Sequence, residues 1–492
     1  MIVEEGGTLA LGSNRETFGK WTLDVQGGLV TGTGANGDVG QAALDYHENR
    51  TIKASVGDGE IAAAVGVRGG VTVTFDVASG ATLKVSGGIV GSGHVKKDTG
   101  TGDLIFTTDH SYTGTTTISA GKLVLDLGTV TTGEGENAVT TNGIYTLDGA
   151  VSGAGTLQVM GGTTVEADAA AETISTAVIL EKGSVLKLAN GTTNTLSKDV
   201  TKGSSGAGVL QVESNTTLEN NSKTISADLV LNGGNATLSG NKTIRGDITI
   251  NSGSVLTAGG SDDDTLVYED GNGDYTRTLT INAGGELAMG DRRWSIGNEN
   301  QGSGGSVYDI VLNGGKITGN GTVTSGTATG NLDFFENGKI SATGTTGEIS
   351  AEIRVRNDNN KLALTVTGTD DKLEVSGNIV GNGGISKSGA GKLVLSGANT
   401  YADDTQITDG TLELQGAGQV GKGNVSIAAG AELAAATTAT QEAESEVWAS
   451  ITSTSDTAAA TVSGATITQT EATKTLAVAS RSTDGTRGTM ED

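Results

Sequence analysis

Three segments of this 492-residue chain are near copies of one another: SGAGTLQV at 152–159, SGAGVLQV at 205–212 and SGAGKLVL at 388–395. A longer pair of copies, 86–125 and 376–414, aligns with one gap at Asp98 or Thr99. A unit this short cannot bury its own apolar face, so successive copies must stack, each sealing the next. The chain is therefore expected to build an elongated stack of small β units and not one closed globular core.

The local pattern agrees. Short runs place apolar side chains at every second position, as in Val71, Val73 and Phe75, Leu279 and Ile281, or Leu362, Leu364 and Val366. Alternation of this kind sends one set of side chains inward and leaves Thr, Lys and Glu facing water. Between runs stand Asn232-Gly233-Gly234, Asn251-Ser252-Gly253, Asn282-Ala283-Gly284, Asn313-Gly314-Gly315 and Asn337-Gly338. Asn and Gly tolerate positive φ and turn the chain sharply. Their spacing suits the coils of a β-solenoid; a coil of about 22 residues advancing about 4.8 Å would give about 20 coils and a rod of about 95 Å over residues 1–436. Proline is absent, as expected where each coil must donate backbone N–H groups to its neighbours.

Composition narrows the function. The 57 acidic and 31 basic residues leave a net charge of −26, which repels phosphate backbones and anionic lipid, so no nucleic-acid partner is expected. No run of about 18 apolar residues occurs, so no membrane insertion is expected within this segment. The start, MIVEEGGTLAL, lacks the basic and apolar regions of a signal peptide, and Met1 reads as the initiator on a mature or internal segment. No cysteine is present, hence no disulfide framework.

Two stretches break the rhythm. Residues 38–50, DVGQAALDYHENR, have helical spacing and are expected to form a loop excursion with a short helix. From Thr437 to Asp492 the chain turns Ala-, Thr- and Ser-rich and is read as a terminal cap or linker, with a helix in TATQEAESEVWASI and strands in ATVSGATI and TLAVAS. The domain reading is thus a continuous β-helix over 1–436 followed by the 437–492 segment.

Residues 389–414, GAGKLVLSGANTYADDTQITDGTLEL, closely resemble the passenger-associated β-strand repeat of bacterial autotransporters, at Gly389, Gly391, Leu393, Leu395, Gly397, Asn399, Tyr401, Thr405, Gly410, Leu412 and Leu414. The earlier copy keeps Gly100, Gly102, Leu104, Tyr112, Gly114, Thr116, Gly121, Leu123 and Leu125, but has His110 where the pattern has Asn; the later copy has Asp403 where it has Gly. The resemblance implies a right-handed parallel β-helix, secreted and displayed at a bacterial surface, with a repeat that assists folding outside the cell and carries no catalytic residue. Autotransporters end in a membrane β-barrel, and no such region is found among these residues.

Searched for chemistry, the chain offers little. GTGANG, with Gly32, Gly34 and Gly37, matches a dinucleotide fingerprint that this glycine content produces by chance. Arg245-Gly246-Asp247 is expected at the corner of a coil. Asp270, Asn272 and Asp274 alternate like calcium ligands, yet the sixth and twelfth loop places hold Tyr275 and Ile281, so a solvated acidic loop is favoured over a calcium site. Asp370-Asp371 and Asp403-Asp404 are adjacent carboxylates whose side chains diverge on a strand, and His47, His94 and His110 lie far from both, so no catalytic residue is assigned. Trp294, with Arg292 and Arg293, is the candidate for contact with a carbohydrate or protein.

The sequence is therefore read as an all-β, right-handed parallel β-helix serving as a non-enzymatic extracellular adhesin or stalk, without cofactor, whose partner is a glycan or protein of a host or neighbouring cell. The alternatives are a carbohydrate-active β-helix enzyme and a protomer that self-associates into filaments.

Overall fold

The computed structural model describes residues 1–13, 16–17, 22–33, 42–133, 138–170, 172–239, 244–258, 277–296, 308–320, 322–324, 327–329, 331–416, 418–423, 425–428, 430–435, 439–441, 448–449, 461–464, 467–469 and 477–478. They form two compact units, Met1–Val230 and Leu231–Asp492. Each is a parallel β-solenoid, and no described residue is helical.

In the first unit each coil contributes strands to ladders that run from coil to coil. A seven-stranded sheet begins Ile2–Glu4, Leu23–Gln26, Arg50–Ala54, Thr72–Val77 and His94–Lys97; a nine-stranded sheet runs from Thr8–Ala10 to Val200–Lys202; a five-stranded sheet holds Leu44–Tyr46, Val65–Val67, Ile89–Gly91 and Ser111–Tyr112. The second unit repeats the plan, with first-sheet strands such as Gly338–Ala342, Lys361–Val366 and Gly384–Ser388, second-sheet strands such as Thr346–Ile349, Lys372–Val375 and Lys392–Leu395, and a third sheet of Trp294–Ile296, Asn331–Phe334, Glu352–Val355 and Ile379–Gly381.

Parallel register stacks like on like. Ile61, Val85, Phe106, Leu125, Val159 and Leu180 are successive register partners, and each is at most 0% exposed. In the second unit Leu256, Leu287, Ile317, Ile349, Val375, Leu395 and Leu414 make the same kind of column. Each such side chain contributes about 1.5–3 kcal/mol relative to exposure, so the core is a set of thin layers that add up coil by coil. At the turns, the amide of Asn282 donates to Oδ1 of Asn251 at 2.6 Å, and that of Asn313 to Oδ1 of Asn282 at 3.2 Å. Gly253, Gly284 and Gly314 beside them have φ of 77°, 77° and 79°. Gly338, by contrast, opens a strand.

Coil length varies. Phe106 to Leu125 is a step of 19 residues, whereas Leu125 to Val159 is a step of 34. The extra residues form an antiparallel hairpin, Thr129–Thr132 with Val139–Asn142, after which the strand continues to Thr146 and rejoins the solenoid beside Thr163–Glu166.

Two expectations are corrected. The helix expected within 38–50 is replaced, over its described part, by strands Leu44–Tyr46 and Arg50–Ala54; the apolar pair two residues apart packs against the next rung at Val65 and Val67. In the tail, Ala439–Gln441 and Trp448–Ala449 are strands where a helix was expected, and Thr461–Gly464 lies parallel to Glu432–Ala435. Parallel rungs satisfy their backbone groups through neighbouring coils, which outweighs local helical spacing.

Candidate functional site

Two blocks of coils, one in each unit, share a set of polar contacts that stacking aliphatic residues does not require. Leu44-Asp45-Tyr46 and Leu332-Asp333-Phe334 open the blocks, followed by Glu48-Asn49 and Glu336-Asn337 and, a coil later, by Val67-Arg68 and Val355-Arg356. The duplication thus begins well before the copies at 86 and 376. Asp45 accepts from Arg68 Nε at 3.1 Å and Nη2 at 2.8 Å. Asp333 accepts from Arg356 Nε at 2.8 Å and Nη2 at 2.5 Å. Both carboxylates have 0% side-chain exposure, so each coil joins the next through a forked, charge-assisted pair. Asn49 and Asn337 cap the following coils, accepting from the backbone N–H of Thr72 and Lys361 at 2.8 Å each.

Deeper in the block, Tyr112 OH lies 2.5 Å from Thr116 Oγ1, and Tyr401 OH lies 2.5 Å from Thr405 Oγ1. All four are buried, and burial raises both phenols, Tyr401 to about 12. The departure at His110 is explained by the same geometry. Asn399 Oδ1 accepts the backbone N–H of Ile379 at 2.8 Å, and His110 Nδ1 accepts that of Ile89 at 3.1 Å. A histidine that accepts through Nδ1 must be neutral with its proton on Nε2, and burial pushes its pKa down to about 3. The glycines of the repeat mark close approach: a Cβ on Gly102 would lie 2.2 Å from the carbonyl oxygen of Ala78, and one on Gly391 would lie 2.4 Å from that of Gly368.

Sequence reasoning missed the two lysines that precede these glycines. Lys97 stands in register between Phe75 and Ile118, and Lys387 between Leu364 and Ile407, so both occupy inward positions of an apolar column. Both are 0% exposed. Lys387 Nζ donates to the carbonyl oxygens of Ser388 at 3.0 Å, Gly389 at 2.6 Å and Asp409 at 2.9 Å, the last on the next coil. Lys97 Nζ donates to the carbonyl of Gly100. Burial pulls the Lys387 ammonium down to about 8, against the opposing pull of Asp409, and lowers that of Lys97. The signal was present in the sequence as a lysine two places after an inward aliphatic residue, Val95 for Lys97 and Ile385 for Lys387.

Of the residues singled out for ligand contact, Trp294 and Arg293 face other parts of the protein. Trp294 is 1% exposed and lies beside Leu332 in the third sheet, so its ring is core and offers no stacking face, which corrects the expectation. Arg293 reaches the buried Asp333 at 3.6 Å, and Arg292 is half-buried at a turn, its N–H bonded to Met289. Asp270, Asn272 and Asp274 lie outside the described residues, as do Gly34 and Gly37. Arg245-Gly246-Asp247 precedes the strand Ile248–Ile250, and Asp247 accepts the N–H of Thr278 at 2.9 Å. Asp371 caps its own turn, accepting from Gly368 N–H at 2.7 Å, and Asp403 accepts from Asp404 N–H at 2.8 Å. Among the described residues no cluster of three His, Asp or Glu side chains is placed to hold a metal.

The surface feature best suited to a ligand lies on the outer face of the second sheet of the Leu231–Asp492 unit. A groove of about 140 Å³ is lined by Lys316, Thr318, Glu348, Ser350, Glu374, Ser376, Ser396 and Gln415, over a floor of Ile317 and Val394. Thr318, Ser350, Ser376, Ser396 and Gln415 each follow the last inward residue of a strand. The fold thus aligns hydroxyls and an amide in one column at about 4.8 Å per rung. Glu348 and Glu374 are register partners on adjacent strands. Lysines flank the column: Lys316 pairs with Glu286 at 2.8 Å, Lys392 with Glu413 at 2.6 Å, and Lys372 with Glu374. Although burial raises Glu286, its bond from Lys316 holds the carboxyl below the usual range, and the Lys392 bond does the same for Glu413. Such a strip presents alternating donors and acceptors to an extended polar chain.

Among known proteins, the family described as passenger-associated-transport-repeat matches residues 98–125 and 385–414, the segments that hold the Tyr–Thr pairs. The chain is also similar to the adhesin BmaC autotransporter of Brucella suis biovar 1 (strain 1330), with 32% identity over 164 residues, 33% of this chain and 4% of that protein. The chain thus spans only a small fraction of the curated relative it matches. No solved structure matches it.

Proposed function

We propose that this chain, an autotransporter passenger region with passenger-associated transport repeats in a parallel β-solenoid, is a non-enzymatic, surface-displayed adhesive segment whose polar groove engages extended glycans. The observation that carries this reading is the column of Thr318, Ser350, Ser376 and Ser396 beside Glu348 and Glu374. One hydroxyl per rung offers a repeating contact to a repeating polymer, with many weak bonds summing along the strip. The similarity to an autotransporter adhesin supports adhesion over a purely spacing role.

Binding of the purified chain to an array of neutral and acidic glycans tests the reading. Ser376→Trp, which fills the groove from an exposed position, should abolish binding while leaving circular dichroism and melting unchanged. Retained binding by Ser376→Trp would exclude the groove. Among the described residues, the adjacent carboxylates of Glu348 and Glu374 favour a carbohydrate-active enzyme. Release of sugar by the wild type, lost in Glu348→Gln or Glu374→Gln, would replace the adhesive reading with that one.

A further inference from the structure

The hairpin formed by Thr129–Thr132 and Val139–Asn142 is unlike the rest of its unit. It is antiparallel where the coils are parallel, and residues 129–132 and 139–141 are exposed on both faces. Of the six large apolar side chains exposed among the described residues, three belong to this arm or its root: Val130 at 50%, Val139 at 57% and Ile144 at 51%. Thr131 and Thr140 bond across it through their hydroxyls at 2.9 Å. Thr129–Thr132 is the terminal strand of its sheet, so among the described residues no strand pairs with its outer edge.

Solenoids normally protect such edges with charge, proline or a bulge. The N-terminal edge strand of this unit, Ile2–Glu4, follows that rule with Glu4 and Glu5. The arm does not. No charged residue occurs from Leu127 to Gly133 or from Ala138 to Leu147, the acidic pair Glu134 and Glu136 being confined to the stretch between them, and the strand Thr-Val-Thr-Thr is entirely β-branched. A bare two-stranded ribbon of this composition is marginal alone.

We propose that the outer edge of Thr129–Thr132 pairs antiparallel with the same edge of a second copy of this chain. Two features select this occupant. The net charge of −26 opposes contact between copies over most of the surface, and the strand Thr129–Thr132, itself free of charge although Glu134 and Glu136 follow it in sequence, is an edge where two copies can meet. An edge that pairs with itself about a two-fold axis is self-complementary and closes after two copies, so the product is a dimer. The contact is small, below the area of a permanent complex, and gains strength where many copies are held side by side.

The full chain tests this directly, since it contains no cysteine. Sedimentation of the wild type should show a concentration-dependent dimer. Val130→Lys combined with Thr132→Lys puts like charges opposite one another across the two-fold and should weaken that dimer about tenfold or more. Thr131→Cys should form a disulfide-linked dimer on mild oxidation faster than Ser79→Cys, an exposed turn position in the same unit. Unchanged circular dichroism would show that the solenoid is intact. A wild type that stays monomeric at concentrations on the order of 0.1 mM, a dimer indifferent to the two lysines, or equal cross-linking at positions 131 and 79 would each overturn the proposal.

Discussion

A lysine held in an apolar column should make this protein more stable in mild alkali. Folded, Lys387 releases its proton at about pH 8, whereas its usual value is 10.5. Between those values the unfolded chain binds more protons than the folded one, so stability rises with pH. The two values give a gain of about 2.5 kcal/mol from pH 7 to pH 10. Lys97, lowered by the same cause, acts in the same direction in its own unit. The rise must end near pH 10, because Tyr401 ionises at about 12 when folded against its usual 10.0. A phenol with a raised value stabilises the fold below 10 and loses that contribution above it. Lys316 and Lys187, raised by their bonds to Glu286 and Glu166, also lose stabilisation only above 10.5. Urea unfolding followed by far-ultraviolet circular dichroism at pH 7 and pH 10 should therefore show a midpoint about 1 M higher at pH 10 for a slope of 2–3 kcal/mol per molar. In Lys387→Met the rise should shrink by most of that amount. Equal responses in wild type and variant would refute the reasoning, since the burial of Lys387 would then carry no proton linkage.

Other outcomes follow from the same contacts. Tyr401→Phe leaves Thr405 Oγ1 buried without its 2.5 Å partner and should cost about 1–3 kcal/mol in chemical denaturation. His110 stays neutral to about pH 3 when folded, while the unfolded imidazole protonates near its usual 6.5. Its contribution is thus lost as pH falls from 6.5 toward 3, about 3 kcal/mol between pH 7 and pH 4, and His110→Asn should remove that dependence while keeping an acceptor for Ile89. Asp333→Ala removes the buried carboxylate that accepts from Arg356 and lies 3.6 Å from Arg293 and should cost about 3–5 kcal/mol, measured as a fall in melting temperature.

The architecture was legible because stacking imposes a strict period. Alternating Val, Leu and Ile named the inward faces, and the register columns contain those residues, from Leu83 and Leu104 to Leu364. Of the turns, Asn251, Asn282 and Asn313 could be read as corners; that they bond to one another could not, because that depends on loops of equal length. Trp294 was misjudged because Arg292 and Arg293 beside it suggested a wet surface, while its strand position, facing the same way as Ile296, places it inside. The lysines at 97 and 387 stayed hidden for the opposite reason. Charge in a column normally means an outward place, and only the carbonyls gathered at the corner make the inward one tolerable. The groove was invisible because serines at 350, 376 and 396 are unremarkable singly and become a strip only through register.

The three carbonyls around Lys387 also determine where this chain tolerates being cut. One of them, Asp409, belongs to the following coil, and Asn399 likewise donates to Gln419 one coil later at 2.5 Å. A fragment ending between residues 390 and 405 would leave the ammonium and the amide facing a missing floor. A shortened version is therefore best trimmed in whole coils, ending on aliphatic rungs and never directly after a repeat.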